Sequence, residues 1–150
     1  MKHLLLTTIA AVVLVGCGPP KPPDISIHKA AEEGNTEAVK QHLAAGADVD
    51  AKNKHGGTPL HYTAIKEIAE LLILNGAEVN AKDGNGWVPL HYAVGRDHRD
   101  VAETLIAKGA DVNAKGTDGK ASLDLADGEI ADLLRKHGGK TGEELKAEGK

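Results

Sequence analysis

Aromatic residues are nearly missing from this 150-residue chain, which has one Trp, two Tyr and no Phe. That excludes a single large core centred on aromatic rings. The 41% hydrophobic content is nearly all Ala, Leu, Ile and Val, which suits closely packed helices. Cysteine occurs once, as Cys17, so no disulfide can close within the chain. Charge of one sign is also lacking: 18 basic residues face 22 acidic ones, for a net charge of −4. Without residues 1–16, and so without Lys2, the balance becomes 17 against 22, or −5. Neither value gives the basic footprint of a nucleic-acid binder or the charge block of an acidic tail. The N-terminal apolar run, residues 4–15, is broken only by Thr7 and Thr8. As a helix it would rise about 18 Å, too short for a hydrocarbon layer of about 30 Å.

That run has the shape of a secretory signal, with Lys2 and His3 as a short basic start. Its end, Leu14-Val15-Gly16-Cys17, resembles a bacterial lipobox. The resemblance implies cleavage before Cys17, a diacylglycerol on its thiol and an acylated new N-terminus. Ordinary signal cleavage wants small residues at −3 and −1, and Leu14 is a poor −3 residue. Several acyl chains anchor stably where one is marginal. Residues 18–24, GPPKPPD, hold four of the six prolines. Such a run favours polyproline II at about 3.1 Å per residue, a semi-rigid stalk of roughly 20 Å. Gly18 stands where an Asp would, by resemblance to Gram-negative lipoproteins, favour inner-membrane retention. The expected address is the bacterial cell envelope, and in a Gram-negative cell the outer membrane, facing the periplasm.

Beyond the stalk the chain repeats itself. GADVDA (46–51), GAEVNA (76–81) and GADVNA (109–114) are one motif, and TPLHYTA (58–64) and VPLHYAV (88–94) are another. SIHKAA (26–31) and SLDLAD (122–127) are degraded copies. His28, His61, His91 and Asp124 share one position, 33, 30 and 33 residues apart. Periods of this length mark stacked repeat architectures. At this point the chain resembles the ankyrin repeat family, whose unit opens with T-P-L-H-x-A. The likeness covers residues 25–139 in four units, 25–52, 53–82, 83–115 and 116–139. It implies an all-α solenoid of helix-turn-helix units joined by β-hairpin-like fingers. It also implies that the repeated histidine hydrogen-bonds within and between units.

The residue pattern agrees. Ile68, Ala69, Leu72 and Ile73, then Val101, Ala102, Leu105 and Ile106, form one helical face in each second helix. Thr58 before Pro59 reads as an N-cap followed by Pro at the first helical position. Gly34 suits a left-handed close to the first helix, and Gly46, Gly76 and Gly109 close the second. From Gly46, Gly76 and Gly109 to the next His or Asp is always 15 residues, so the fingers keep one length. From His28, His61, His91 and Asp124 to the following glycine the distance is 18, 15, 18 and 14. Repeats two and four therefore have a shortened first helix, and a local weak point is expected there. His42 and Arg135 replace apolar residues of the inner repeats, as polar outer faces on terminal units. The segment 140–150 is polar. Thr141 with Glu144 reads as a capping box at a helix start, but with Leu145 and little else apolar that helix is expected to be frayed or transient.

Chemistry is sparse. His28, His61 and His91 belong to the repeat, and neither H-E-x-x-H nor C-x-x-C occurs. No metal site, cofactor or catalytic constellation is expected, and there is no G-x-S-x-G. The acidic residues Asp48, Asp50, Glu78 and Asp111 read as solvated finger limbs. The protein is expected to be a non-catalytic, monomeric, membrane-tethered module that binds another protein. The alternative is a structural or protective envelope module with no dedicated partner.

In the ankyrin pattern the variable positions of fingers and first helices project to the concave side, which members use for partners. Here they are Lys54, His55, Gly57 and Tyr62; then Gly84, Asn85, Trp87 and Tyr92; then Thr117, Asp118, Lys120 and Leu125. All three aromatics of the protein fall among them, and Trp and Tyr are enriched at interface hot spots. Trp87 is the expected anchor, with Tyr62 and Tyr92 beside it. Lys54, His55, Asn85 and Lys120 make a polar rim. Val88 replaces the Thr cap next to Trp87, a loss expected to cost about 1 kcal/mol.

Overall fold

The computed structural model describes residues 21–149. The signal segment, Cys17 and the first part of the stalk lie outside the described residues. Helices alternate with extended fingers along the chain. The first unit pairs α1 (Ile27–Glu32) with α2 (Thr36–Ala44). The second has one 3-10 turn (Pro59–Tyr62) before α3 (Lys66–Leu74). The third pairs α4 (Pro89–Gly95) with α5 (Arg99–Ala107). The fourth has a 3-10 turn (Ser122–Leu125) before α6 (Gly128–Lys136), and α7 (Gly142–Ala147) follows. Among the described residues there is no strand, only a single bridge between Lys115 and Ala121 at the fourth finger.

One apolar core runs the length of the stack. Val39, Ile68, Leu72, Leu105 and Leu134 are fully buried, each from a second helix. No helix pair could bury such a face alone, so the units stabilise one another by stacking. The glycines expected to be left-handed all are, with φ of 70° at Gly34 and 82–93° at Gly46, Gly76 and Gly109. Asp97 occupies the Gly34 place in the third unit with φ 59°, the one non-glycine there among the described residues.

The shortened units reduce their first helices to a single 3-10 turn. The space in the second is filled. The Ala64 N–H donates to the carbonyl of Ala31, and the Ile65 side chain packs beside Gly34. The expected weak point is thus buttressed by the unit before it.

Three local expectations change. His42 is buried, not an outer polar face. Its Nε2 donates to the carbonyl of Ile25 at 2.6 Å and ties the segment before α1 to α2. The tail is docked rather than frayed. Leu145 is buried, and Thr141 and Glu144 complete a reciprocal capping box. Arg135 grips both oxygens of Glu144 at 2.9 and 3.0 Å. The Thr141 N–H and Arg135 hold the Glu144 carboxyl below its ordinary range. The acidic limbs also carry structure: Asp50 accepts the Glu78 N–H of the next unit.

Candidate functional site

The fingers are built around one acceptor each. Asn53 Oδ1 accepts the N–H groups of His55 and Gly57, and Asp83 Oδ1 accepts those of Asn85 and Trp87. Adjacent fingers join through Gly84 N–H to His55 O and Thr117 N–H to Asn85 O. Behind them the repeated histidines form a ladder. His28 reaches Ala51 O and Gly57 O, His61 reaches Trp87 O at 3.0 Å, and His91 reaches Lys120 O at 3.3 Å. The N–H of Thr58 donates to His61 Nδ1, and that of Val88 to His91 Nδ1. Nδ1 therefore holds the lone pair, and Nε2 carries the donated proton. Burial pushes both imidazoles below the ordinary histidine range.

This geometry revises the reading of Val88. The Thr58 hydroxyl makes no helix cap; it lies 3.0 Å from His61 Nδ1. Val88 gives up that one contact, keeps the main-chain bond to His91 and buries its methyls in the core. No helix cap is lost beside Trp87.

The three aromatics come together as expected. Tyr62 and Tyr92 meet edge to face with centroids 5.5 Å apart, and Tyr92 meets Trp87 at 5.9 Å. Trp87 stacks on His91 at 5.4 Å, and His28 adds an edge contact to Tyr62. All three rings are half-buried. Each also serves the scaffold. Tyr92 donates to Asp83 Oδ2 at 2.7 Å, and Tyr62 accepts from Asn53. Burial and then the Asp83 carboxylate raise the Tyr92 phenol well above its ordinary value. The Trp87 ring lies so close over Gly116 that a Cβ there would meet it at 2.4 Å.

A recess of about 240 Å³ opens between the third and fourth fingers, lined by Asn85, Trp87, Tyr92, Thr117 and Asp118. Three grooves are larger: two of about 400 and 390 Å³ between α3 and α5, and one of about 300 Å³ between α5 and α6. They hold Lys66, Asp100 and similar mixed charges with neither Trp nor Tyr. The smaller recess is the better candidate, because its rings and polar atoms face one space.

Lys54, His55 and Lys120 are exposed and lie outside that recess; Asn85 lies in it. Sequence reasoning missed Asp83 and Arg96. Asp83 is buried under Tyr92. Arg96 lies 5.7 Å over Tyr62 and 5.6 Å over Tyr92, and reaches Glu32 of the first unit at 4.0 Å. Its place four residues after Tyr92, at the C-cap of α4, is a signal that could have found it. Among the described residues no group of three His, Cys, Asp or Glu is placed to hold a metal ion.

The ankyrin-repeat pattern, in three copies, matches residues 27–116 of the chain. The protein belongs to the ankyrin-repeat family, whose members are generally protein–protein interaction modules and typically non-catalytic. Curated proteins give no match.

Proposed function

We propose that this protein is a membrane-tethered, non-catalytic, monomeric ankyrin-repeat module that binds a protein partner through its finger tips and concave helix face. The carrying observation is the convergence of Trp87, Tyr92 and Tyr62 in one half-exposed cluster beside a recess. Trp87 is the anchor, Tyr92 the second wall, and Tyr62 a supporting ring. Lys54, His55, Asn85 and Lys120 form the outer rim. The lipobox-like segment and the proline stalk support tethering through lipidated Cys17 in a bacterial envelope. No helix among the described residues is long and apolar enough to cross a membrane.

One experiment tests both halves. A photo-crosslinking residue at Asn85 should capture a discrete neighbour in cells, whereas the same residue at Glu103, exposed on α5, should not. In the Cys17→Ser protein the capture should fall and the chain should leave the membrane fraction. Equal capture from Asn85 and Glu103 would contradict the binding face. An unchanged membrane fraction for Cys17→Ser would contradict the tether.

A further inference from the structure

The chemistry of the recess specifies what it would grip, given the binding face proposed above. Its walls are the Trp87 and Tyr92 rings, nearly perpendicular at 82°. Aromatic faces are electron-rich and attract cations. On the rim, Asp118 spends Oδ1 on the Lys120 N–H. Among the described residues its other oxygen makes no hydrogen bond and no ion pair. The Asn85 side-chain amide likewise makes no hydrogen bond among the described residues, while the Thr117 hydroxyl donates to Asn85 O. Asp83 lies behind Tyr92, outside the lining, with both oxygens committed to the scaffold. The space thus presents rings and acceptors, and an anion would meet Asp118 directly.

Two cations stand near without lining the recess. Arg96 is held toward Glu32, and Lys120 is exposed with its N–H committed to Asp118. Arg96 also provides an internal precedent, because its guanidinium already rests 5.6 Å from the Tyr92 centroid. The recess, about 240 Å³, has room for one long side chain rather than a peptide segment.

We infer that the recess between the third and fourth fingers takes an arginine side chain from the protein partner, its guanidinium seated in the corner between the Trp87 and Tyr92 rings and paired with Asp118. Arginine fits better than lysine because its planar guanidinium can stack on a ring and hydrogen-bond a carboxylate at once.

Trp87 is the only tryptophan, so its fluorescence reports on this recess alone. The probe is a short blocked peptide with one arginine, titrated against the folded protein into the millimolar range. Its control carries citrulline, which has the same shape without the charge. The arginine peptide should give a saturable change that the citrulline peptide does not. Asp118→Asn keeps the Lys120 contact and should weaken binding about three- to fivefold, the size of an exposed charge pair. Equal responses to the two peptides, no saturable response, or an unchanged affinity in Asp118→Asn would overturn the inference. If the peptides fail while Asn85 still captures a neighbour in cells, only the arginine is wrong. If both fail, the binding face falls with it.

Discussion

At the scale of single residues, position within the repeat decides what a side chain costs. Ser122 stands where the second and third units have Pro59 and Pro89. It is fully buried, and its hydroxyl has no hydrogen-bond partner. Ala121 before it is extended, with φ −97° and ψ 169°, the backbone that a following proline requires. Ser122→Pro removes an orphaned hydroxyl and restricts the unfolded chain. It should raise stability by about 0.5–1 kcal/mol, measured as a later urea midpoint. An earlier midpoint would mean that the ring does not fit the fourth unit. The aromatics teach the converse point. Trp87 and Tyr92 are where the repeat pattern leaves freedom, yet both are tied into the scaffold through His91, Gly116 and Asp83. A partner would find them already positioned, which lowers the ordering cost of binding.

At the scale of elements, the C-terminal segment behaves as a fragment of a fifth unit. Asn80 bonds Gly109 O and the Asp111 N–H, and Asn113 repeats this with Gly138 O and the Lys140 N–H. The final position of the histidine ladder is Asp124, and the exchange has a reason. Each histidine donates to a carbonyl of the next finger, but α7 offers the Gly142 N–H, which Asp124 accepts at 2.6 Å. What reads as a degraded repeat is a ladder with its polarity reversed to receive a cap. Leu145 is the apolar half of that cap. Leu145→Ala should cost about 2 kcal/mol, the low end for a buried leucine, because a short helix can undock instead of leaving a cavity. The check is hydrogen exchange, in which the 145–149 amides become unprotected in the variant before the rest of the stack. Amides that exchange freely in the parent protein as well would refute docking.

At the scale of the whole molecule, the histidine ladder links stability to pH. His61 and His91 are held neutral by burial, with folded pKa values below the 6.5 of an exposed histidine. Below pH 6.5 the unfolded chain therefore takes up protons that the folded chain refuses, and stability must fall with pH. The contribution is fully present above about pH 6.5 and is lost as pH drops toward the folded values. Protonated Nδ1 could no longer accept the Thr58 or Val88 N–H. The urea midpoint should be earlier at pH 5.5 than at pH 7.5, well above the window in which carboxylates titrate. A flat midpoint across that range would show that the ladder carries no such linkage.

Repeat identity, unit length and the all-α class were legible in the chain because they rest on local periodicity. Fixed spacing from glycine to the next histidine or aspartate, and paired apolar residues on each second helix, survive without tertiary information. The aromatic cluster was legible for the same reason, since Trp87, Tyr92 and Tyr62 sit at repeat positions that stack in register. Tertiary structure decided what depends on contacts between units. Arg96 meets both tyrosines and Glu32 across three successive units, contacts that no single repeat contains. His42 turned inward because the segment before α1 supplies the Ile25 carbonyl. The tail docked because Asp124, Arg135 and Asn113 converge on it from three separate elements. The amino-acid sequence by itself determined the unit and its stacking, whose causes lie within about thirty residues of one another. Only the packed stack decided the recess, its acceptors and its cap, which require atoms of neighbouring units to meet.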